Sequence, residues 1–323
     1  MIRPVPDPHI LSQRLPIMDF NQRISELLNI RPTVLNADGI LRECVRIEQD
    51  NPYIPSGFLW VLEYKRGQVS KLRGDKPGAV AHARRAVALN PYNEDLIREY
   101  RDLVANASTI KNLALIISCK KYEQKALSLQ RQYEEAGIES LIISGHDTEA
   151  INHPRAVQVA APDNYEGLPR KTVAACTWVY ENVGRNVGIL KVDDDQTLFD
   201  PVRARQLLDQ LHTLNVYAGV PVSGTTHDRN WHWNKCQDKA LNTISYGKPF
   251  WRHWAMGGAY YLGPGPLEKL VMTMMRFPGL FDGEYYEDKL VGDALMVEQV
   301  PLKELAGYED FGLSLTAQHR FNS

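Results

Sequence analysis

Apolar residues in the first hundred positions recur every three or four residues, the spacing of a helix with one buried face. Ile40, Leu41, Cys44, Val45 and Ile47 follow Ala37-Asp38-Gly39 and predict a helix that Asn51-Pro52-Tyr53 ends. Phe58 to Tyr64 opens the next helix. Asp75 to Asn90 carries Ala79, Ala83, Ala86, Val87 and Leu89 and stops at Asn90-Pro91-Tyr92, and Leu96, Tyr100, Leu103 and Val104 line one face of another. At Leu113 the pattern changes to short apolar runs of strand length. Leu113–Ser118, Leu141–Ser144, Val157–Val159, Val187–Val192 and Ala259–Leu262 read as strands. Tyr122 to Ala136, Thr172 to Asn182 and Leu290 to Val297 read as helices among them. Alternating strands and helices predict an α/β domain with a largely parallel sheet over residues 109–323, preceded by an all-α domain over residues 1–108.

The two Asn-Pro-Tyr helix ends, at Asn51 and Asn90, suggest an internal helical repeat. Gly67, Gly74-Asp75, Ala79, Ala86 and Pro91 resemble a tetratricopeptide repeat, in which small residues let paired helices pack closely. Arg66 and Ser70 depart from that pattern. The resemblance implies a surface for a protein partner or for self-association; the alternative is a helical cap on the α/β domain.

Composition narrows the partners. With 37 basic and 39 acidic residues the net charge is −2, which gives no reason to expect nucleic acid or an anionic membrane. A hydrophobic fraction of 44% is ample for packed cores, yet no stretch reaches the roughly 18–20 apolar residues of a membrane span. Cys44, Cys119, Cys176 and Cys236 are widely spaced and form no CxxC pair, so reduced thiols and a cytoplasmic location are expected.

The strand Val187–Val192 runs directly into Asp193-Asp194-Asp195. Adjacent carboxylates repel one another, and a divalent cation with a preference for oxygen, Mn²⁺ or Mg²⁺, relieves that repulsion. Such a cation could neutralise the diphosphate of a nucleotide sugar. A lone acidic triplet could equally be a solvated turn.

Three further segments accompany it. Asp163-Asn-Tyr-Glu-Gly-Leu-Pro-Arg-Lys171-Thr precedes Leu190-Lys-Val-Asp-Asp-Asp195; Phe250-Trp-Arg-His-Trp-Ala-Met-Gly257-Gly258-Ala-Tyr260-Tyr-Leu262 and Glu287-Asp288-Lys-Leu-Val-Gly292 follow. In this order the four segments resemble the β1,3-galactosyltransferase and Fringe-like families. Gly167 and Lys289 stand where those families carry asparagine and an apolar residue. The resemblance implies a GT-A nucleotide-sugar-binding (Rossmann-like) fold and an inverting, metal-dependent transfer. A hexose, galactose or an N-acetylhexosamine, would pass from a UDP-sugar donor to a glycan or protein acceptor.

By the same resemblance Asp288 is the general base, with Glu287 as substitute, although the pair could simply favour a helix start. Asp193, Asp194, Lys171, Asp163, Lys120, Gly257 and Gly258 are expected at the donor. Asp195, Asp193 and His319 are expected at the metal, with His227, His232 and His253 as rivals. Gly257-Gly258 would let a ligand approach the backbone or form a tight turn. Trp251, Trp254 and Tyr260 would stack on sugar rings or belong to the core. A nucleotidyltransferase, another nucleotide-sugar transferase, or an inactive helical-repeat interaction protein are the competing functions.

Overall fold

The computed structural model describes residues 19–104, 108–222, 229–250 and 254–315. The chain divides into two compact units, Met1–Leu103 and Val104–Ser323. The first is helical: α1 (Phe20–Asn29), α2 (Ala37–Asp50), α3 (Ser56–Leu72), α4 (Lys76–Leu89) and the greater part of α5 (Glu94–Val104). Ile24 and Leu27 of α1 join Ile40, Cys44 and Ile47 of α2 and Val61, Leu62 and Val69 of α3 in one core. Between α3 and α4 the chain reverses at Gly74, whose φ of +76° suits glycine, and the Asp75 carboxylate then accepts from the Gly78 N–H to cap α4. A Cβ at Gly67 would lie 3.3 Å from the His82 Cβ, so the missing side chain lets α3 and α4 approach closely.

The second unit is a three-layer α/β structure. Its strands are β1 (Asn112–Ile117), β2 (Ser140–Gly145), β3 (Ala156–Val159), β4 (Gly188–Asp193), β5 (Gln196–Leu198), β6 (Tyr217–Val222), β7 (Trp254–Leu262), β8 (Leu302–Glu304) and β9 (Leu313–Leu315). Its helices are α6 (Glu123–Glu135), α7 (Leu168–Asn182), α8 (Pro201–Leu214), α9 (Pro264–Arg276) and α10 (Glu287–Val297). Seven strands form one sheet in the order β3-β2-β1-β4-β7-β6-β8. β3, β2, β1 and β4 run parallel, β7 is antiparallel to both β4 and β6, and β8 is parallel to β6.

One face of the sheet is apolar beneath α6 and α8, where Ala114, Ile116, Leu190, Val192 and Tyr261 meet Leu129, Tyr133, Leu208 and Leu211. Helices α7, α9 and α10 pack against one another on the opposite face. Because strand side chains alternate, Lys191 and its register partner Tyr260 face away from the Leu190–Val192 core.

The sheet grows from β1 towards β3 and then resumes on the other side of β1 with β4, which creates a switch point between β1 and β4. Ile117 is in register with Asp193 there, so the aspartate triplet leaves the sheet where ligands of open α/β sheets bind. The small sheet follows at once: Gln196, directly after Asp195, pairs with Leu315, and Leu198 pairs with Leu313. Gly312 permits the pairing, since its φ is +68° and a Cβ would meet the Asp200 carbonyl oxygen. Among the described residues no helix is long and apolar enough to cross a membrane.

Candidate active site

Strand β4 delivers the triplet and the first turn of α10 delivers Glu287 and Asp288; Lys191 lies between them. Its ammonium is 2.7 Å from Asp193 Oδ1 and 2.7 Å from Glu287 Oε1, and it also donates to the Gly257 carbonyl. Burial alone would lower the Lys191 pKa, but Asp193 and Glu287 outweigh that and raise it, so the group stays charged. Tyr260 donates to Glu287 Oε2 at 3.0 Å. Glu287 is therefore buried and engaged at both oxygens.

Asp288 differs from its neighbour. It is half-buried, and its pKa is pushed up to about 7 by burial and by the adjacent Glu287 charge, against the Lys289 N–H and Lys191. Asp193 is also pushed up to about 7, by burial first and then by Glu287 and Asp195, with Lys191 opposing. The Asp193 side chain remains 40% exposed, so solvent tempers the upward pressure of burial, while repulsion from the neighbouring carboxylates persists. Asp194 turns the other way and accepts from the Ser118 hydroxyl at 2.5 Å, across the switch point. Tyr165 and Tyr308 are within electrostatic reach of both Asp193 and Asp288.

Several other residues expected at the donor have partners within the protein. Asp163 and Lys171 form an ion pair of 2.8 Å with both side chains almost wholly buried. Lys171 also donates to the Ser118 carbonyl, and Asp163 accepts from the Gly145 N–H and the Thr148 hydroxyl. Burial would raise the Asp163 pKa, yet Lys171, Thr148 and Gly145 hold it below the usual carboxylate range. The pair thus clamps the ends of β1 and β2 to α7. Lys120 follows β1 in a single 3-10 turn (Lys120–Tyr122) and pairs with Glu123 at 2.9 Å.

Gly257 and Gly258 lie within β7, not in a turn before it. A Cβ at Gly257 would be 3.2 Å from Glu287 Oε1 and 3.4 Å from Asp288 Oδ2; at Gly258 it would be 2.5 Å from the Tyr308 hydroxyl. The space these glycines leave admits the protein's own carboxylates and a tyrosine. Trp254 and Tyr260 are buried, which favours the core over sugar stacking, the two alternatives open for them. His232 is fully buried: one ring nitrogen faces the Leu241 and Ile244 carbonyls, both at 2.9 Å, and must donate, so the other accepts from the Tyr286 hydroxyl at 3.0 Å. Neither nitrogen is available to a metal. Lys289, where the family pattern has an apolar residue, is buried against Asp293 and Glu284 at 2.5 and 3.5 Å. His319, His227, His253 and Trp251 lie outside the described residues.

Sequence reasoning gave no role to Lys191, Ser118 or Tyr308. A lysine inside an otherwise apolar strand was the available signal for the first, because lysine is rarely buried without a partner; nothing local marked the other two.

Among the described residues no three acidic, histidine or cysteine side chains converge into a metal cage. Asp193 and Asp195 carry carboxylate oxygens, the ligand type that Mg²⁺ and Mn²⁺ prefer.

No curated protein matches the chain. Residues 144–305, about half of it, match the family described as Galactosyltransferase, a span that includes Asp163, Lys171, the aspartate triplet, Gly257-Gly258 and the Glu287-Asp288 pair. With those segments assembled around one switch point, the chain belongs to the galactosyltransferase family and is a glycosyltransferase.

Proposed function

We propose that this glycosyltransferase transfers a hexose, galactose or an N-acetylhexosamine, from a UDP-sugar to a glycan or protein hydroxyl, with inversion and with Mn²⁺ or Mg²⁺. The observation that carries the reading is the division of labour at the head of α10. Glu287 is buried and held by Lys191 and Tyr260, while Asp288 is only partly buried beside Gly257. A base must reach a substrate proton and be poised near the working pH, and Asp288 suits both needs better than its neighbour. Asp288 accepts the proton of the acceptor hydroxyl as that oxygen attacks the anomeric carbon, and the UDP group departs from the opposite face.

Asp193 and Asp195 would hold the cation, whose charge offsets that of the departing diphosphate. His319 is proposed to join them, a reading supported by β9, whose Leu315 pairs with Gln196 beside Asp195. Lys120 and Asp194, at the ends of β1 and β4, are proposed at the nucleotide. Asp163 and Lys171 shape the donor pocket through the backbone they clamp. The helical unit is proposed as a tetratricopeptide-like scaffold for the acceptor or a second subunit. Four free cysteines accord with a reducing, cytoplasmic setting.

The test incubates the whole chain with UDP-galactose or a UDP-N-acetylhexosamine and Mn²⁺, with and without EDTA, and follows UDP release and product anomer by NMR. We expect metal-dependent UDP release and an inverted product. Retained configuration would refute the mechanism, and turnover unaffected by EDTA would refute the metal. Pyrophosphate release would favour a nucleotidyltransferase, and UDP binding without turnover an interaction protein.

A further inference from the structure

We infer that Lys191 is a positioning residue that braces Asp193, on the donor side, against Glu287, and through Glu287 fixes where Asp288 meets the acceptor. This rests on the function proposed above.

Three oxygens from three elements close around one ammonium: Asp193 at the end of β4, the Gly257 carbonyl in β7 and Glu287 at the head of α10. The strand register sets the reach, because Lys191 is opposite Tyr260, whose hydroxyl holds the other Glu287 oxygen. Glu287 is thereby pinned at both ends and Asp288 is its neighbour in the chain. Gly257 eases the arrangement, since a Cβ there would crowd Glu287 Oε1 at 3.2 Å and touch Asp288 Oδ2 at 3.4 Å.

Stability alone gives little reason for this design. A buried ion pair seldom outperforms apolar side chains of the same volume, and the β4 residues flanking Lys191, Leu190 and Val192, are apolar. What an apolar residue could not do is hold two carboxylates from separate elements at a fixed separation. Attack on the anomeric carbon needs that separation, because donor and acceptor must be aligned to within a fraction of an ångström. Hydrolysis of the donor by water needs it less, since water enters from many directions.

The experiment compares the whole chain with Lys191→Met, Glu287→Gln and the double variant, reading acceptor transfer and donor hydrolysis in the same tube. Wild-type transfer with inversion is established first; its absence would end the functional proposal and this inference with it, whereas the variant ratios below bear on the inference alone. In Lys191→Met we expect transfer at saturating donor to fall on the order of 10²-fold, the effect of an ångström-scale misplacement, with hydrolysis falling much less. The double variant is expected to shift the transfer-to-hydrolysis ratio no further than Lys191→Met does, because both act along one path. If Lys191→Met is poorly folded, Lys191→Met with Glu287→Met removes the stranded charge and carries the same expectation. An unchanged ratio in a folded variant, or additive effects in the double variant, would overturn the inference; a purely structural lysine would lower the unfolding temperature and leave the ratio alone.

Discussion

Replacing Asp163 by alanine separates a structural clamp from a donor contact. The substitution removes the 2.8 Å ion pair with Lys171 and the hydrogen bonds from the Gly145 N–H at 2.8 Å and the Thr148 hydroxyl at 2.7 Å. It strands a buried ammonium against the Ser118 carbonyl, 2.8 Å away. Breaking a buried pair from one side costs about 3–5 kcal/mol. With a urea slope near 3 kcal/mol/M for a domain of this size, the midpoint of the catalytic unit should fall by about 1–2 M. Urea unfolding followed by tryptophan fluorescence measures this, and calorimetry with UDP at low temperature asks whether the folded fraction still binds. We expect a large stability loss with near-normal UDP affinity, and substantial recovery when Asp163→Leu is combined with Lys171→Met. A midpoint within about 0.3 M of wild type, together with lost UDP binding, would refute the clamp and return the pair to the donor pocket. Acid should act like the substitution. The folded pKa of Asp163 lies below its unfolded value, so its contribution is complete above about pH 4 and is lost as the pH falls through the folded pKa.

Asp288→Asn should keep UDP affinity and lower transfer by about 10²–10⁴-fold, the usual contribution of a positioned base; near-normal transfer with Glu287→Gln inactive would reassign the role. Because Asp288 is pushed up to about 7, kcat/KM should rise as the pH passes through that region and the carboxylate forms, a limb that Asp288→Asn removes; a profile flat from pH 5 to 8, a range of roughly neutral conditions, would contradict it. His232→Ala removes its hydrogen bonds with the Tyr286 hydroxyl and with the Leu241 and Ile244 carbonyls and should cost about 1–3 kcal/mol while metal dependence stays unchanged; lost metal dependence in a folded variant would make it a ligand after all. Gly258→Ala places a Cβ 2.5 Å from the Tyr308 hydroxyl and should cost about 1–3 kcal/mol of stability by thermal unfolding, whereas an unchanged Tm would show that Tyr308 swings away freely.

The α/β layout was legible in sequence because buried parallel strands are largely apolar, as in Leu113–Ile117 and, Lys191 apart, Val187–Val192. Helix α1 escaped notice: only Ile24 and Leu27 are buried along it, too few to stand out in a polar segment. Strand β7 begins at Trp254, five positions before the expected Ala259, because Gly257-Gly258 reads locally as a turn. Their real cause is the approach of α10 and Tyr308, which no local pattern contains. The site shows the same division. Asp193 to Asp195 and Glu287-Asp288 were legible through family resemblance, whereas Asp163 and Lys171 could not reveal whether they faced a ligand or each other. Lys191 gains its meaning from Glu287, an α10 residue brought over β4 only by the fold.

The short pairing of β5 with β9 also bears on the birth of the enzyme. Gln196 leaves the ribosome immediately after the aspartates, but its partner Leu315 emerges only once the whole family-matched segment has been made. Until then the stretch behind the triplet lacks its backbone partner, although the large sheet can already pair. Closing that distance is the slow, non-local kind of contact, so it belongs among the later events of maturation. A chain that stops before Gly312 would lack this pairing, so the backbone directly behind the aspartate triplet is completed by the last described strand to be made.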